Sequence, residues 1–225
     1  MTTRSIHQFA EKVALITDGA NPIGMATAMQ LALNGSFVVL GVPNLAGRVA
    51  PPISDLESLG TLAMSHSWNV DADGAAGLVD AVRGKFGRLD LLVNCLDLEA
   101  FGSDVVIGEG LTAFVRVADS AVKLMQERPS PRIVNVVSQR DEPLPIIAGA
   151  NAGVIGYSKA LSASLPGNFR VNVVSIRQAE AAAGGFDPEL IRPKSAVEPD
   201  DAARVILFAL SGEAKSINGK VFELG

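Results

Sequence analysis

Twelve residues near the start of the chain have the types and spacing to meet a phosphate: V-A-L-I-T-D-G-A-N-P-I-G, from Val13 to Gly24. An apolar strand, Val13–Thr17, runs into a tight turn, and Asn21-Pro22 opens a helix at Ile23. In a βαβ unit this junction carries the phosphate loop, where backbone N–H groups and the helix dipole face an anion. A loop of the form T-G-x-x-x-G-I-G keeps glycine where this chain has Asp18 and Pro22, while Thr17, Ile23 and Gly24 hold to the pattern. Pro22 suits the first helical position behind an Asn21 cap, but it has no N–H to offer. Losing one hydrogen bond to a charged group costs about 1.5–3 kcal/mol. A carboxylate within several Å of a diphosphate adds about 2–3 kcal/mol of repulsion. Together these weaken binding about a thousandfold. A second reading makes Asp18 a turn aspartate that accepts local N–H groups and faces away from any ligand.

Other chemistries find little support. His7 and His66 are the only histidines, which argues against a histidine-rich metal site and a Ser-His-Asp triad. Cys95 is the only cysteine, so there is no internal disulfide, and a reducing cytoplasm is expected. The net charge is −5 without a basic block, which argues against a nucleic-acid surface. No apolar run has the length of a membrane span, and the first dozen residues lack that of a signal peptide.

The elements that must position the loop follow from periodicity. Short apolar runs predict strands at Val13–Thr17, Phe37–Gly41, Leu62–Ser67, Leu89–Asn94, Ile133–Ser138, Val171–Ser175 and Val221–Leu224. Helical patterns lie between them: Ile23–Asn34, Asp55–Leu59, Gly74–Phe86, Leu111–Glu127, Ala150–Leu165 and Asp200–Ser211. Ser54 and Glu57 predict a capping box, Gly35 a left-handed helix end, and Pro199 with Asp200 and Asp201 a helix start. This alternation predicts one α/β domain over residues 1–225. Its sheet is a doubly wound, Rossmann-like parallel one of about seven strands, with helices on both faces.

With these elements in order, the chain resembles the short-chain dehydrogenase/reductase family over nearly its whole length. The segments that carry the resemblance are Val13–Gly24, Phe86–Asn94 (F-G-R-L-D-L-L-V-N), Arg132–Ser138 (R-I-V-N-V-V-S), Arg170–Ser175, Pro199–Leu210 and Ile217–Gly225. The resemblance implies NAD(P) and a tetrad of serine, tyrosine thirteen residues on, lysine four further, and an asparagine on the preceding helix. Counting from Ser138 gives Asn151 and Ile155, and counting back from Met125 gives Gly110, so Ser138 alone is retained. Asparagine is no general acid near neutral pH, and isoleucine polarises nothing. Tyr157 and Lys159 stand two apart on the same helix and point to different sides, so Tyr157 is expected to pack at a helix or subunit surface. A shifted register would bring Lys159 to the lysine position and still leave no acid.

The implied cofactor positions also diverge. Beyond Thr17, Asp18, Pro22, Ile23 and Gly24 they comprise Asn69 and Val70 at the adenine, Asn94 beside the ribose and Ile176 beside the nicotinamide. Leu96 and Asp97 bring bulk and charge into the segment after Asn94, and Ile176-Arg177 replaces a Pro-Gly pair. The second strand ends Leu40-Gly41-Val42-Pro43, with no acid for a ribose and no adjacent arginine for a 2′-phosphate; Arg48 lies too far along to count. The lid, Gln178–Pro193, is rich in alanine and glycine.

Two readings result. In the first, the chain is a catalytically degenerate member that binds NAD(P) weakly or not at all. It then serves as a non-catalytic homo- or hetero-oligomer partner, or binds a small molecule. In the second, it is an active NAD(P)-dependent oxidoreductase, reducing a carbonyl or oxidising an alcohol with atypical residues. The substitutions weigh towards the first. The resemblance implies subunit interfaces on the helices at Leu111–Glu127 and Ala150–Leu165 and on the C-terminal helix and strand; Leu161, Leu165, Leu207, Phe208 and Phe222 are candidates for core or contact, with core the default.

Overall fold

The computed structural model describes residues 8–101, 106–140, 144–178 and 197–225. Seven strands form one sheet: β1 (Val13–Ile16), β2 (Phe37–Pro43), β3 (Ala63–Trp68), β4 (Leu91–Asn94), β5 (Arg132–Arg140), β6 (Arg170–Gln178) and β7 (Val221–Leu224). Their order is β3-β2-β1-β4-β5-β6-β7 and every pairing is parallel. Six α-helices complete the fold: α1 (Pro22–Leu33), α2 (Ser54–Glu57), α3 (Ala72–Phe86), α4 (Thr112–Met125), α5 (Pro145–Ser164) and α6 (Pro199–Leu210). This is the doubly wound α/β architecture predicted from the alternation.

The sheet is covered on both faces, as its apolar strands require. On one face Leu15, Val39, Leu92, Ile133 and Val173 pack under α3, α4 and α5 with Phe114 and Val154. On the other, Ala14, Ile16, Leu40, Val93, Val134 and Val174 pack under α1 and α6 with Leu31 and Ile206. Chain order reverses between β1 and β4, so a crevice opens there at the carboxyl ends of the strands.

Local signals explain most boundaries. Asn21 caps α1, Asp71 caps α3 by accepting from Gly74 N at 2.7 Å, and Gly87 ends α3 in the left-handed region at φ 67°. Gly35 takes the expected left-handed conformation at φ 82°. The capping box at Ser54 does not form. Helix α2 starts one residue earlier in register, Ile53 is its cap, and no side-chain cap bond is made. β5 and β6 run on past Ser138 and Ser175, because they stay paired to Arg140↔Gln178.

Candidate active site

The phosphate-loop junction sits at the crevice, held by buried struts. The Thr17 hydroxyl donates to Asn94 Oδ1 at 3.2 Å and accepts from Cys95 N at 2.9 Å. Asn94 Nδ2 donates to the Phe114 carbonyl, and Trp68 Nε1 donates to the Thr17 carbonyl. Thr17 and Asn94 are fully buried, so they tie the ends of β1, β3, β4 and α4 together. Pro22 is exposed at the first position of α1, and Asn21 Oδ1 accepts from Ile23 N at 2.9 Å. Gly24 is the cradle residue, since a Cβ there would lie 2.1 Å from the Asp18 carbonyl oxygen. Cys95 lies beneath the same turn. Burial pushes its thiol up to about 12, so it stays protonated and inert.

Asp18 does not face a ligand with a free charge. Its Oδ1 accepts from Ala20 N at 3.2 Å and Asn21 N at 3.1 Å, as a turn aspartate does. Its Oδ2 lies 2.9 Å from Arg48 Nε, and the same guanidinium reaches Asp97 Oδ2 at 3.3 Å. Burial raises the Asp18 carboxyl, and Arg48 pulls it back. The full repulsion expected of an isolated carboxylate is therefore corrected: a cation stands against it. Arg48 lies five residues beyond β2, too far along the chain to be expected at the site, yet the loop after β2 brings it to Asp18 and Asp97. Only a distance in space, and no spacing in the chain, carries that signal.

Beside this loop lies a cavity of about 420 Å³ at the ends of β2 and β3, lined by Asn44, Asn69, Val70, Phe101, Glu109 and Thr112 among others. Asn44 Nδ2 donates to Asn69 Oδ1 at 2.7 Å, which orients the Asn69 amide at the cavity wall. Asn69 and Val70 thus share one concave site, with polar groups for a base edge and apolar surface for its face. A glycine cradle next to a cavity of this make-up fits a dinucleotide.

Two of the tetrad positions, Ser138 and Asn151, meet at the end of β5. Asn151 Nδ2 donates to the Ser138 carbonyl at 2.6 Å, which supports the gap-free register. Asn151 and Ile155 line a small, mostly apolar cavity of about 150 Å³ with Gln139, Ala148 and Ala152. Gly110 lies in a π-helical turn, Val106–Leu111, just before α4. A Cβ there would come within 3.1 Å of the Phe101 ring, so the glycine fits packing and presents nothing polar. β6 runs on past the expected Ser175, Ile176 pairs opposite Ser138, and its side chain packs in the core, 1% exposed. Tyr157 donates to Asp119 Oδ1 at 2.8 Å, joining α5 to α4. Burial and that carboxylate raise its phenol well above the ordinary range. Lys159 is exposed. The lid beyond Gln178 lies outside the described residues.

Fold, glycine cradle and switch-point crevice together define a nucleotide-binding α/β protein. Residues 12–182 match the short chain dehydrogenase family model, and the chain belongs to that family. It is 30% identical to a 3-oxoacyl-[acyl-carrier-protein] reductase of Thermotoga maritima, over 93% of this chain and 94% of that one. It is also 30% identical to a cis-4-hydroxycyclohexanecarboxylate dehydrogenase of Sinomonas cyclohexanicum, over 95% and 94%. The crystal structure of a short chain dehydrogenase from Burkholderia cenocepacia in complex with NADP has the same fold, with TM-score 0.80, 24% identity and 98% of each chain covered. These relatives overturn the expectation of a degenerate, non-catalytic chain and the leaning against an enzyme. Both full-length sequence relatives are named for an oxidoreductase activity. One part of that expectation's physical basis, an unopposed carboxylate in the loop, also fails at Arg48.

Proposed function

We propose that the protein is an NAD(P)-dependent oxidoreductase that reduces a carbonyl or oxidises an alcohol with atypical site residues. One observation carries the reading. The glycine-cradled loop, the cavity at Asn69 and Val70, and Ser138 lie towards the carboxyl ends of β1, β3 and β5 of one parallel sheet, where a single extended cofactor would span them. Gly24 and Ile23 form the phosphate end, Asn69 and Val70 the adenine end, and Thr17 with Asn94 the rigid frame between. A bound nicotinamide supplies or takes up the hydride.

The chain's own groups then position the substrate oxygen. The Ser138 hydroxyl donates to it, and Asn151 fixes the Ser138 main chain. The apolar cavity beside Ile155 takes a small apolar flank of the substrate. With no phenol at Asn151, solvent supplies the proton. A positioned general acid contributes about 10²–10⁴ in rate, so turnover is slow by that order. A single buried cysteine suits a reducing cytoplasm, and among the described residues no helix is long and apolar enough to cross a membrane. The chain acts as one domain and assembles with itself through α4, α5, α6 and β7.

Calorimetric titration with NADH and NADPH, followed by a carbonyl-reduction screen at the absorbance of the reduced nicotinamide, tests the reading. Saturable binding of one cofactor and Ser138-dependent oxidation of it are expected. Absence of both at millimolar cofactor would refute the proposal.

A further inference from the structure

We propose that Arg48 is a positioning residue of the cofactor site, the counterion that lets this loop accept an anionic cofactor although Asp18 occupies a glycine position. The inference rests on the reading above. Three loops meet at the switch point, and each brings one charge. Asp18 follows β1, Arg48 follows β2 and Asp97 follows β4. Asp18 is completely buried, and Arg48 itself keeps only 18% of its side chain exposed. Asp18 Oδ1 is held by two backbone N–H groups, so its second oxygen has Arg48 as its charged partner. Asp97 is anchored in turn by accepting from Glu99 N at 3.1 Å. The guanidinium therefore spans the mouth of the crevice, where the diphosphate of a dinucleotide would lie. Without it two carboxylates would face that diphosphate. With it one net negative charge remains among the three side chains.

The test is a double-mutant cycle on the full chain, with Arg48→Ala, Asp18→Asn and the pair, read by NADH and NADPH affinity and by thermal unfolding without cofactor. Asparagine keeps the acceptor for Ala20 N and Asn21 N while removing the charge. Arg48→Ala is expected to weaken cofactor binding about tenfold or more beside Asp18, and only about threefold beside Asn at that position. The same coupling is expected in the cofactor-free melting temperature, where Asp18→Asn recovers most of the loss from Arg48→Ala. Equal losses in both backgrounds would overturn the proposal, as would tighter binding by Arg48→Ala, which would make the guanidinium an obstruction. Coupling in the melting temperature with no binding by any variant would leave the ion pair standing. It would refute the cofactor reading and Arg48's part in it.

Discussion

Asn151 occupies the place from which a phenol would hand over a proton, and its amide is committed to the Ser138 carbonyl at 2.6 Å. The neighbouring 150 Å³ cavity gives a larger ring somewhere to go. The double substitution Asn151→Tyr with Ile155→Lys is therefore expected to raise kcat about 10–100-fold, within the range open to a general acid, and steady-state assay checks it. Ser138→Ala is expected to lower kcat with little change in cofactor affinity. At Gly24 the steric limit is harder, because a Cβ would sit 2.1 Å from a backbone oxygen that cannot step aside. Gly24→Ala is expected to cost about 2–3 kcal/mol and lower the melting temperature by about 5–10 °C, with loss of cofactor binding.

β4 enters the sheet through Asp90, just before its first residue. The carboxylate accepts from Val13 N at 3.0 Å, from Arg88 at 2.7 and 2.9 Å, and from Arg128 at 2.9 Å. These bonds join β1, the α3–β4 turn and the end of α4 at the amino ends of the central strands, opposite the active site. Burial pushes the Asp90 carboxyl up, but the two guanidinium groups and the Val13 N–H outweigh it, so its pKa falls below the ordinary value. The unfolded chain then takes up the proton first as pH drops. The stabilisation is complete above the ordinary carboxylate pKa and is lost as pH falls through the depressed value. Asp90→Asn is expected to cost about 2 kcal/mol at neutral pH and to flatten the acid limb of a stability-against-pH curve measured by urea unfolding.

In the molecule as a whole, an aromatic pair among the described residues lies at the margin of the sheet. Phe208 on α6 is 38% exposed and meets Phe222 on β7 edge-on at 6.0 Å. An exposed large aromatic at the end of the sheet has most to gain from a second copy of the chain. Phe208→Glu is expected to lower the oligomeric state seen by sedimentation while leaving the monomer folded. An unchanged sedimentation profile would argue against self-assembly through α6 and β7.

Short apolar runs and the helical patterns between them made the seven strands and most of the helices legible, because buried parallel strands must be apolar and a crossover must join each to the next; α5 starts at Pro145, ahead of the expected Ala150. Order along the chain, with the junction at Val13–Gly24, also determined where the crevice opens. The pairing of Ser138 with Asn151 was legible by counting the thirteen residues that the family resemblance implies. Charge was not legible. The sequence shows Asp18 in a glycine's place, and only the tertiary structure brings Arg48 and Asp97 to it from loops 30 and 79 residues away, by the difference of their positions. Ile176 shows the same limit at a strand end. Whether a residue faces a ligand or the core depends on how far pairing continues, and the neighbouring strand decides that. Local residue types fix local geometry, whereas the electrostatic balance of a site is a sum over loops that meet only in space.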